Sequence, residues 1–351
     1  MSSIKIGKKK IGFGQPIFYI AEAGVNHNGS LKNAKKLIDV ACEAGADAIK
    51  FQSFKTDEII TPLSPKAKYH LETTGRKTSW YDLLKSQELS DVNHKKLIEY
   101  CNKKKIIFLS TPYDSFSAKL LNNLRVLAFK IASTDNDNYP LLNDILKFDK
   151  PILISTAMTT FQEVKNIYNY FNKRKFKKIA IMQCTGSYPS KIEDSNLRVI
   201  KTYKKIFNCP IGLSDHTTNN VSALTAVGLG IDIIEKHFTL NKNMFGPDHR
   251  MSLSPKELID SVKEIREAES SLGSYEKKII NSEKDNRKKL KKSIVAASNI
   301  RKNQIIKGKL IKVKRPGTGI RPNNYSKIIG MVAKRNIKAN TLLKFNMLKK
   351  K

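Results

Sequence analysis

The chain has 351 residues, of which 40% are hydrophobic and 27% are charged, enough for one large domain with a full apolar core and a small second domain. Its formal net charge is +34, but only 11 of its 65 cationic residues are arginine. Because clamping phosphates and reading base edges favour arginine, the composition argues against nucleic-acid binding. A basic nucleic-acid-binding protein remains the alternative of a different class, and it predicts binding that weakens steeply with salt.

Membrane insertion and secretion are not indicated either. No stretch approaches the roughly 18 consecutive apolar residues that a membrane span needs, and glycines and a proline interrupt the apolar part of the N-terminus. The cysteines are scattered without a CxxC pair, which argues against a disulfide framework and a zinc ribbon: Cys42, Cys101, Cys184 and Cys209. The chain is expected to be soluble and cytoplasmic.

Eight short apolar runs follow one another along the chain and are predicted to be strands. They cover residues 17–21, 47–51, 106–110, 127–131, 151–155, 179–183, 210–214 and 231–235. Segments with helical periodicity, such as LKNAKKLIDVACEAG after the first run, lie between most of them. Buried strands alternating with amphipathic helices are typical of a parallel sheet, and eight such units in about 270 residues predict an α/β fold, a (β/α)₈ TIM barrel. An open doubly wound sheet is the alternative.

A barrel carries its chemistry at the carboxyl ends of its strands, and unusual polar residues occur at these places. They are Glu22, Lys50, Gln52, Thr111, Lys130, Ser133, Asp135, Ser155, Tyr188, Ser214, His216, Glu235 and His237. One such residue alone is more often a helix cap or a solvated strand end. Their succession after all eight predicted strands indicates an active site on one rim.

Two of the six histidines follow neighbouring strands, the seventh and the eighth. His216 and His237 are therefore expected to stand close together on the rim. Two imidazoles with carboxylates nearby can form an open metal site that leaves positions for water and substrate. A pair of hydrogen-bonded structural histidines is the alternative at this point.

Several collinear motifs resemble the sialic acid synthase family, which includes N-acetylneuraminate synthases and related nonulosonate synthases. They are IAEAGVNHNGS, ADAIKFQSFKTDEI, FLSTPYD, FKIAS, ILISTAM, QCTGSYPS, IGLSDHT, IIEKHFTL and GPDHRMSL. The last part of the chain, from KKSIVAASNI onward, is similar to the small antifreeze-like (SAF) domain of these enzymes. The resemblance implies a catalytic barrel over residues 1–275, a charged linker over 276–291 and an SAF domain over 292–351.

The resemblance also implies the reaction. Members of the family condense phosphoenolpyruvate with an N-acylated hexosamine to give a nine-carbon sugar acid and phosphate. N-acetylmannosamine is the expected acceptor, and a diacetamido-trideoxy sugar, which leads to legionaminic acid, is the alternative. A divalent metal ion, expected to be Mn²⁺ and bound by His216 and His237, would polarise the aldehyde oxygen.

Roles for further residues come from matching positions in the family. Lys50 and Lys130, with the hydroxyl groups of Thr111, Ser133, Ser155 and Ser214, are expected to hold the phosphate and carboxylate of phosphoenolpyruvate. Glu22 and Asp135 are expected to orient water and transfer protons. The remaining expected substrate contacts are Gln52, Tyr188, Glu235, Asp248 and Arg315.

Three further residues concern catalysis, the acceptor and the assembly. Asp135 stands where many relatives have glutamate, so its carboxylate is one methylene shorter, and Gly186 stands where some relatives have a polar side chain near the sugar. In similar synthases the SAF domain covers the partner's barrel in a domain-swapped homodimer and delivers an arginine to the sugar. Arg315 in KRPGTG occupies that place.

Overall fold

The structure, a computed structural model, describes residues 3–351 and divides into two units, which meet in sequence at Gly273 and Ser274. The first unit opens with an antiparallel hairpin, β1 (Ile4–Ile6) and β2 (Lys9–Ile11). Eight parallel strands follow: β3 (Phe18–Gly24), β4 (Ala48–Ser53), β5 (Ile107–Pro112), β6 (Phe129–Ile131), β7 (Ile152–Ser155), β8 (Ile179–Cys184), β9 (Ile211–Asp215) and β10 (Ile233–His237). Each of the eight predicted strands is present.

The parallel strands form one sheet in the order β5-β4-β3-β10-β9-β8-β7-β6. The first parallel strand, β3, pairs with the last, β10, which places Ile20 beside Glu235 and Glu22 beside His237. A doubly wound sheet lacks such a pairing, because its first and last strands lie apart. In the described part of the chain, β5 and β6 pack side by side without ladder pairing. The predicted (β/α)₈ barrel is confirmed.

Several helices of the first unit begin at side-chain caps. Ser30 and Ser90 accept a hydrogen bond from the backbone three residues on, and Thr160 and Ser254 form capping boxes with Glu163 and Glu257. The helices are α1 (Leu31–Glu43), α2 (Thr56–Ile59), α3 (Lys68–Thr74), α4 (Trp80–Gln87), α5 (Asp91–Lys104), α6 (Ser115–Asn123), α7 (Tyr139–Leu146), α8 (Phe161–Lys173), α9 (Arg198–Ile206), α10 (Val221–Gly228) and α11 (Pro255–Leu272).

The barrel interior is built in layers because alternate residues of a strand point to opposite faces. On β3, Phe18 and Ile20 belong to the inner apolar cluster, whereas Tyr19 and Ala21 pack outward among the helices. Ile4, Ile6 and Ile11 of the hairpin join the inner cluster: Phe18, Ile20, Ala48, Leu109, Ala128, Leu153, Ala180, Met182 and Ile233. The hairpin thus fills the end of the barrel that lies away from the strands' carboxyl ends.

The second unit has its own small apolar core, which includes Ile294, Ile306 and Leu343. Its elements are α12 (Glu283–Leu290), β11 (Ser293–Ala296), β12 (Ile311–Lys314), α13 (Tyr325–Ile328), β13 (Val332–Ala333) and β14 (Leu348–Lys349). β11 pairs with β12 and β13 with β14, both antiparallel. Half of the predicted charged linker is therefore helical, because the eight residues of α12 lie within residues 276–291.

No helix within residues 3–351 is both long enough and apolar enough to cross a membrane.

Candidate active site

A cavity opens at the carboxyl ends of the parallel strands, and most of the predicted site residues line it. They are Glu22, Lys50, Gln52, Thr111, Lys130, Ser133, Ser155, Tyr188, Ser214, His216, Glu235 and His237. Tyr113, Ala132 and Cys184 line it as well. The same strand alternation that builds the apolar layer places Glu22 above Ile20, and Glu235 and His237 above Ile233.

Two lysines and two glutamates form the floor of the cavity, and all four side chains are buried. The ammonium of Lys50 lies 2.9 Å from Glu22 Oε2 and donates to Thr111 Oγ1 at 3.0 Å. The ammonium of Lys130 donates to both carboxylate oxygens of Glu235, at 2.7 and 3.0 Å. When both carboxyl groups are ionised, the floor is therefore electrically balanced before any anionic substrate arrives.

The two carboxyl groups of the floor differ in acidity. Burial and the neighbouring carboxylate of Glu235 raise the pKa of Glu22 to about 7, and the ammonium groups of Lys50 and, more weakly, Lys130 offset this only in part. Burial also acts on Glu235, but Lys130, Lys50 and the Ser214 hydroxyl outweigh it and hold the pKa of this carboxyl at about 2. Glu22 can thus exchange a proton near neutral pH, whereas Glu235 remains a fixed anion.

His216 and His237 stand together on the rim, with ring centroids 5.4 Å apart. The Nδ1–H of His216 donates to the carbonyl oxygen of Thr185 at 2.7 Å, so Nε2 is the ring nitrogen that remains available to a ligand. His237 Nδ1 is buried and has no hydrogen-bond partner within residues 3–351. Burial, with His216 and Lys50 nearby, holds the pKa of His237 well below its usual value, so this imidazole is neutral.

This arrangement fits a divalent metal ion with an open coordination sphere. Metal-binding histidines commonly donate their second ring nitrogen to a carbonyl or carboxylate oxygen, as His216 does. Within residues 3–351 no group of three or more histidine, cysteine, aspartate or glutamate side chains is placed to share an ion. Two imidazoles would therefore leave several positions to water and substrate oxygens.

Gly24 keeps space open beside His237. It lies at a register shift in β3 with φ +51°, a conformation that favours glycine. A β-carbon here would lie 3.4 Å from Glu22 Oε1, 3.5 Å from Gln52 Nε2 and 3.5 Å from His237 Cε1. The absence of a side chain at residue 24 thus leaves room between a carboxylate, an amide and an imidazole.

Three tyrosines lie near the histidines, and we call them the aromatic wall: Tyr69, Tyr113 and Tyr188. The ring of Tyr188 lies on that of His216 with centroids 4.1 Å apart, and Tyr69 of α3 stacks on Tyr188 at 5.0 Å. Asp248 is buried and interacts electrostatically with Tyr69, Tyr113 and Tyr188. Burial raises the pKa of Asp248 to about 6, and His216 offsets this only in part.

Three predicted site residues do not line the cavity. Asp135 instead accepts hydrogen bonds from Asn138 Nδ2 and Thr134 Oγ1, both at 3.0 Å, and lies in a short 3₁₀ turn. Asp248 lies beside the aromatic wall, where it interacts electrostatically with the three tyrosines. Arg315 is an exposed residue of the second unit, just after β12.

Sequence reasoning missed Tyr113, Cys184 and Tyr69. Tyr113 directly follows β5, so the rule that found Thr111 could have found it. Cys184 is the last residue of β8, and its Sγ lies 3.9 Å from His216 Nδ1, but it was considered only as one of four scattered cysteines. Tyr69 lies on a short helix in a long loop, where no periodicity points to the site.

Enzymes of this architecture carry their active sites at the carboxyl ends of the strands, and this chain is such an enzyme. It belongs to the NeuB family, whose model matches residues 37–277, and the SAF domain model matches residues 291–349. The chain is thus a phosphoenolpyruvate-dependent transferase of the sialic acid synthase type, which forms a carbon–carbon bond.

Individual relatives cover almost the whole chain. The N,N'-diacetyllegionaminic acid synthase of Campylobacter jejuni is 41% identical over 93% of this chain and 98% of its own length. The human N-acetylneuraminate-9-phosphate synthase is 35% identical over 87% of this chain and 84% of its own. Among solved structures, the N-acetylneuraminic acid synthetase of Leptospira borgpetersenii has a TM-score of 0.72 at 33% identity, covering 81% of this chain and 95% of that one.

Proposed function

We propose that the protein condenses phosphoenolpyruvate with an uncharged N-acylated amino sugar, in a reaction that depends on a divalent metal ion. The observation that carries the proposal is the placement of two buried ammonium groups, Lys50 and Lys130, beneath two converging imidazoles, His216 and His237. The first pair suits a small anion, and the second suits a metal ion.

The floor of the cavity would bind phosphoenolpyruvate. Lys50 and Lys130 would supply positive charge, and the hydroxyl groups of Thr111, Ser133, Ser155 and Ser214 would supply directed hydrogen bonds. The Ser155 hydroxyl is buried without a partner within the described residues, so a ligand oxygen would satisfy it. Because Glu22 and Glu235 already balance the two ammonium groups, a further cation would offset the negative charge of the substrate.

That cation would be the metal ion. When held by His216 and His237, it would supply Lewis-acid polarisation of the acceptor's aldehyde oxygen. Imidazole and oxygen ligands suit several first-row ions, so the ligands alone do not select one. We propose Mn²⁺ because of the resemblance to the family.

The proposed condensation forms one carbon–carbon bond and releases phosphate. C3 of phosphoenolpyruvate attacks the aldehyde carbon, and the resulting alkoxide takes up a proton. Water adds at C2, and phosphate leaves with cleavage of the C–O bond to give the 2-keto acid. Glu22, with a pKa of about 7, is the proposed base for this water. Asp135 is proposed to assist through the turn that it stabilises.

This role predicts a pH dependence. If ionised Glu22 is the base, kcat/KM rises as the pH increases through about 7, because a carboxyl with a raised pKa is protonated below that value. Glu22→Gln should lower kcat by about 10²- to 10⁴-fold and remove this limb of the profile. Initial rates between pH 5.5 and 8.5 test it, and an unchanged limb in the variant would assign the ionisation to another group.

The aromatic wall would hold the acceptor. Tyr69, Tyr113 and Tyr188 offer ring faces and hydroxyl groups, whereas Asp248 would repel a phosphorylated sugar. Similarity supports a diacetamido-trideoxy hexose as the acceptor, because the legionaminic acid synthases of Campylobacter jejuni and Legionella pneumophila are 41% and 40% identical to this chain. N-acetylmannosamine is the second candidate, supported by the N-acetylneuraminic acid synthetase of Leptospira borgpetersenii at 33% identity.

A substrate panel separates these acceptors. The protein is incubated with phosphoenolpyruvate, Mn²⁺ and each sugar, and phosphate release and product mass are measured. We expect kcat/KM for the diacetamido-trideoxy sugar to exceed that for N-acetylmannosamine by about tenfold or more, since a lost polar or apolar contact costs on the order of 1–3 kcal/mol. Chelation of the metal is the control. The reverse preference would assign a neuraminate product, and no phosphate release with any sugar would refute the proposed reaction.

We also propose a homodimer, in which Arg315 of the partner subunit contributes to acceptor binding. The match to the SAF domain supports this assembly, since similar synthases use their SAF domain in this way.

A further inference from the structure

We infer that Lys236 is a positioning residue that holds the backbone around His216 and so sets the distance between the two proposed metal ligands. The inference rests on the proposed metal-dependent function.

Lys236 points away from the active site. It lies on β10 between Glu235 and His237, which face the barrel interior, so its own side chain faces outward. Yet the residue is only 1% exposed. A lysine buried this completely needs a reason, because removing an ammonium group from water is costly.

The ammonium group uses all three of its hydrogens. It donates to Asp215 Oδ2 at 2.7 Å, to the carbonyl oxygen of Asn219 at 2.8 Å and to that of Thr217 at 3.1 Å. Asp215 in turn accepts a hydrogen bond from the backbone N–H of Thr217 at 2.9 Å through Oδ1.

These partners surround His216 in the sequence. His216 therefore lies on a segment, residues 215–219, that is fastened to β10 by one side chain. β10 also carries His237, directly after Lys236. The Thr185 carbonyl and the Tyr188 ring orient the His216 imidazole, whereas Lys236 fixes the backbone from which it projects.

Stability alone does not account for this lysine. Replacing a buried ion pair by apolar groups of similar volume is often neutral or stabilising. In addition, two of the three hydrogen bonds of Lys236 go to backbone carbonyl oxygens of residues 215–219, so they specify the conformation of this segment. Both observations favour a role in geometry, like that of the outer groups that orient metal ligands.

The test is the double variant Lys236→Met/Asp215→Asn, which removes both charges and leaves neither one unpaired. Mn²⁺ binding to the metal-free full-length protein is measured by electron paramagnetic resonance of free Mn²⁺. We expect the Kd for Mn²⁺ to rise about 10- to 100-fold, as for the loss of other groups that orient ligands. Amide hydrogen exchange at residues 216–219 should also accelerate.

A matched control is Arg266→Met/Asp47→Asn. This ion pair, 2.7 Å long, lies at the opposite end of the barrel, beside the start of β4. It should change stability without changing the Kd for Mn²⁺. If the first double variant does not fold, Lys236→Leu/Asp215→Asn replaces it, since leucine also removes all three donor hydrogens of Lys236.

The outcomes are distinguishable. A native Kd in the Lys236 variants, or an equal loss in the Arg266 control, would overturn the positioning role. A wild-type protein that does not bind Mn²⁺ would refute the proposed metal site itself, and the positioning role with it.

Discussion

His237→Ala is expected to abolish metal-dependent condensation, with kcat/KM falling about 10³-fold or more, the order expected for loss of electrostatic stabilisation at the reacting oxygen. One remaining imidazole, that of His216, would not hold the ion. His237 lines the cavity and belongs to neither apolar cluster of the barrel, so the barrel should remain folded. Turnover at limiting Mn²⁺ and the circular dichroism spectrum measure the two effects.

His94→Ala is the control for this change. His94 is also a buried histidine, but it bonds Ser53 Oγ at 2.7 Å and the Ser90 carbonyl oxygen at 3.0 Å outside the cavity. Its loss should lower stability while leaving the affinity for Mn²⁺ unchanged. Near-native activity of the His237 variant at limiting Mn²⁺ would show that this residue is not a ligand.

Lys130→Met should impair both substrate binding and stability. We expect kcat/KM for phosphoenolpyruvate to fall about 10³-fold, because a charge-assisted contact to the substrate is lost. The free energy of unfolding at pH 7 should fall by about 3–5 kcal/mol, since Glu235 is left buried without its closest partner.

The stability loss should depend on pH. Because the pKa of Glu235 is about 2 in the folded protein, its contribution is fully present above about pH 4.5 and is lost as the pH falls toward 2. Lys130→Met should therefore destabilise the protein more at pH 7 than at pH 3 in denaturant titrations. The double variant Lys130→Met/Glu235→Leu should regain stability but not activity. A native KM for phosphoenolpyruvate in Lys130→Met would contradict the assignment.

The eight strands were predictable because their buried faces leave apolar runs that end in polar residues. IIEKHFTL illustrates the limit of that reading. Strand alternation places Glu235 and His237 inside and Lys236 outside, but only the three-dimensional structure reveals which acceptors Lys236 meets.

The acidities of the two glutamates could not be read from the sequence. Glu22 and Glu235 both stand at the ends of strands, and their difference arises because Lys130 contacts one carboxylate and not the other. Asp135 was expected at the cavity, but the local turn directs its carboxylate to Asn138 and Thr134. Whether Lys130 contacts Glu235 or Glu22 depends on distances of a few ångströms between residues that lie far apart in the chain.

The hairpin that fills one end of the barrel has a consequence for biosynthesis. Ile4, Ile6 and Ile11 leave the ribosome before the eight parallel strands, but the inner cluster that they join extends to Ile233 on the last of these strands. These isoleucines must remain without their final partners until nearly all of the barrel has been translated. Residues that are made before the barrel strands are thus among the last that can reach their native packing, and the nascent chain exposes these isoleucines until the last strand is complete.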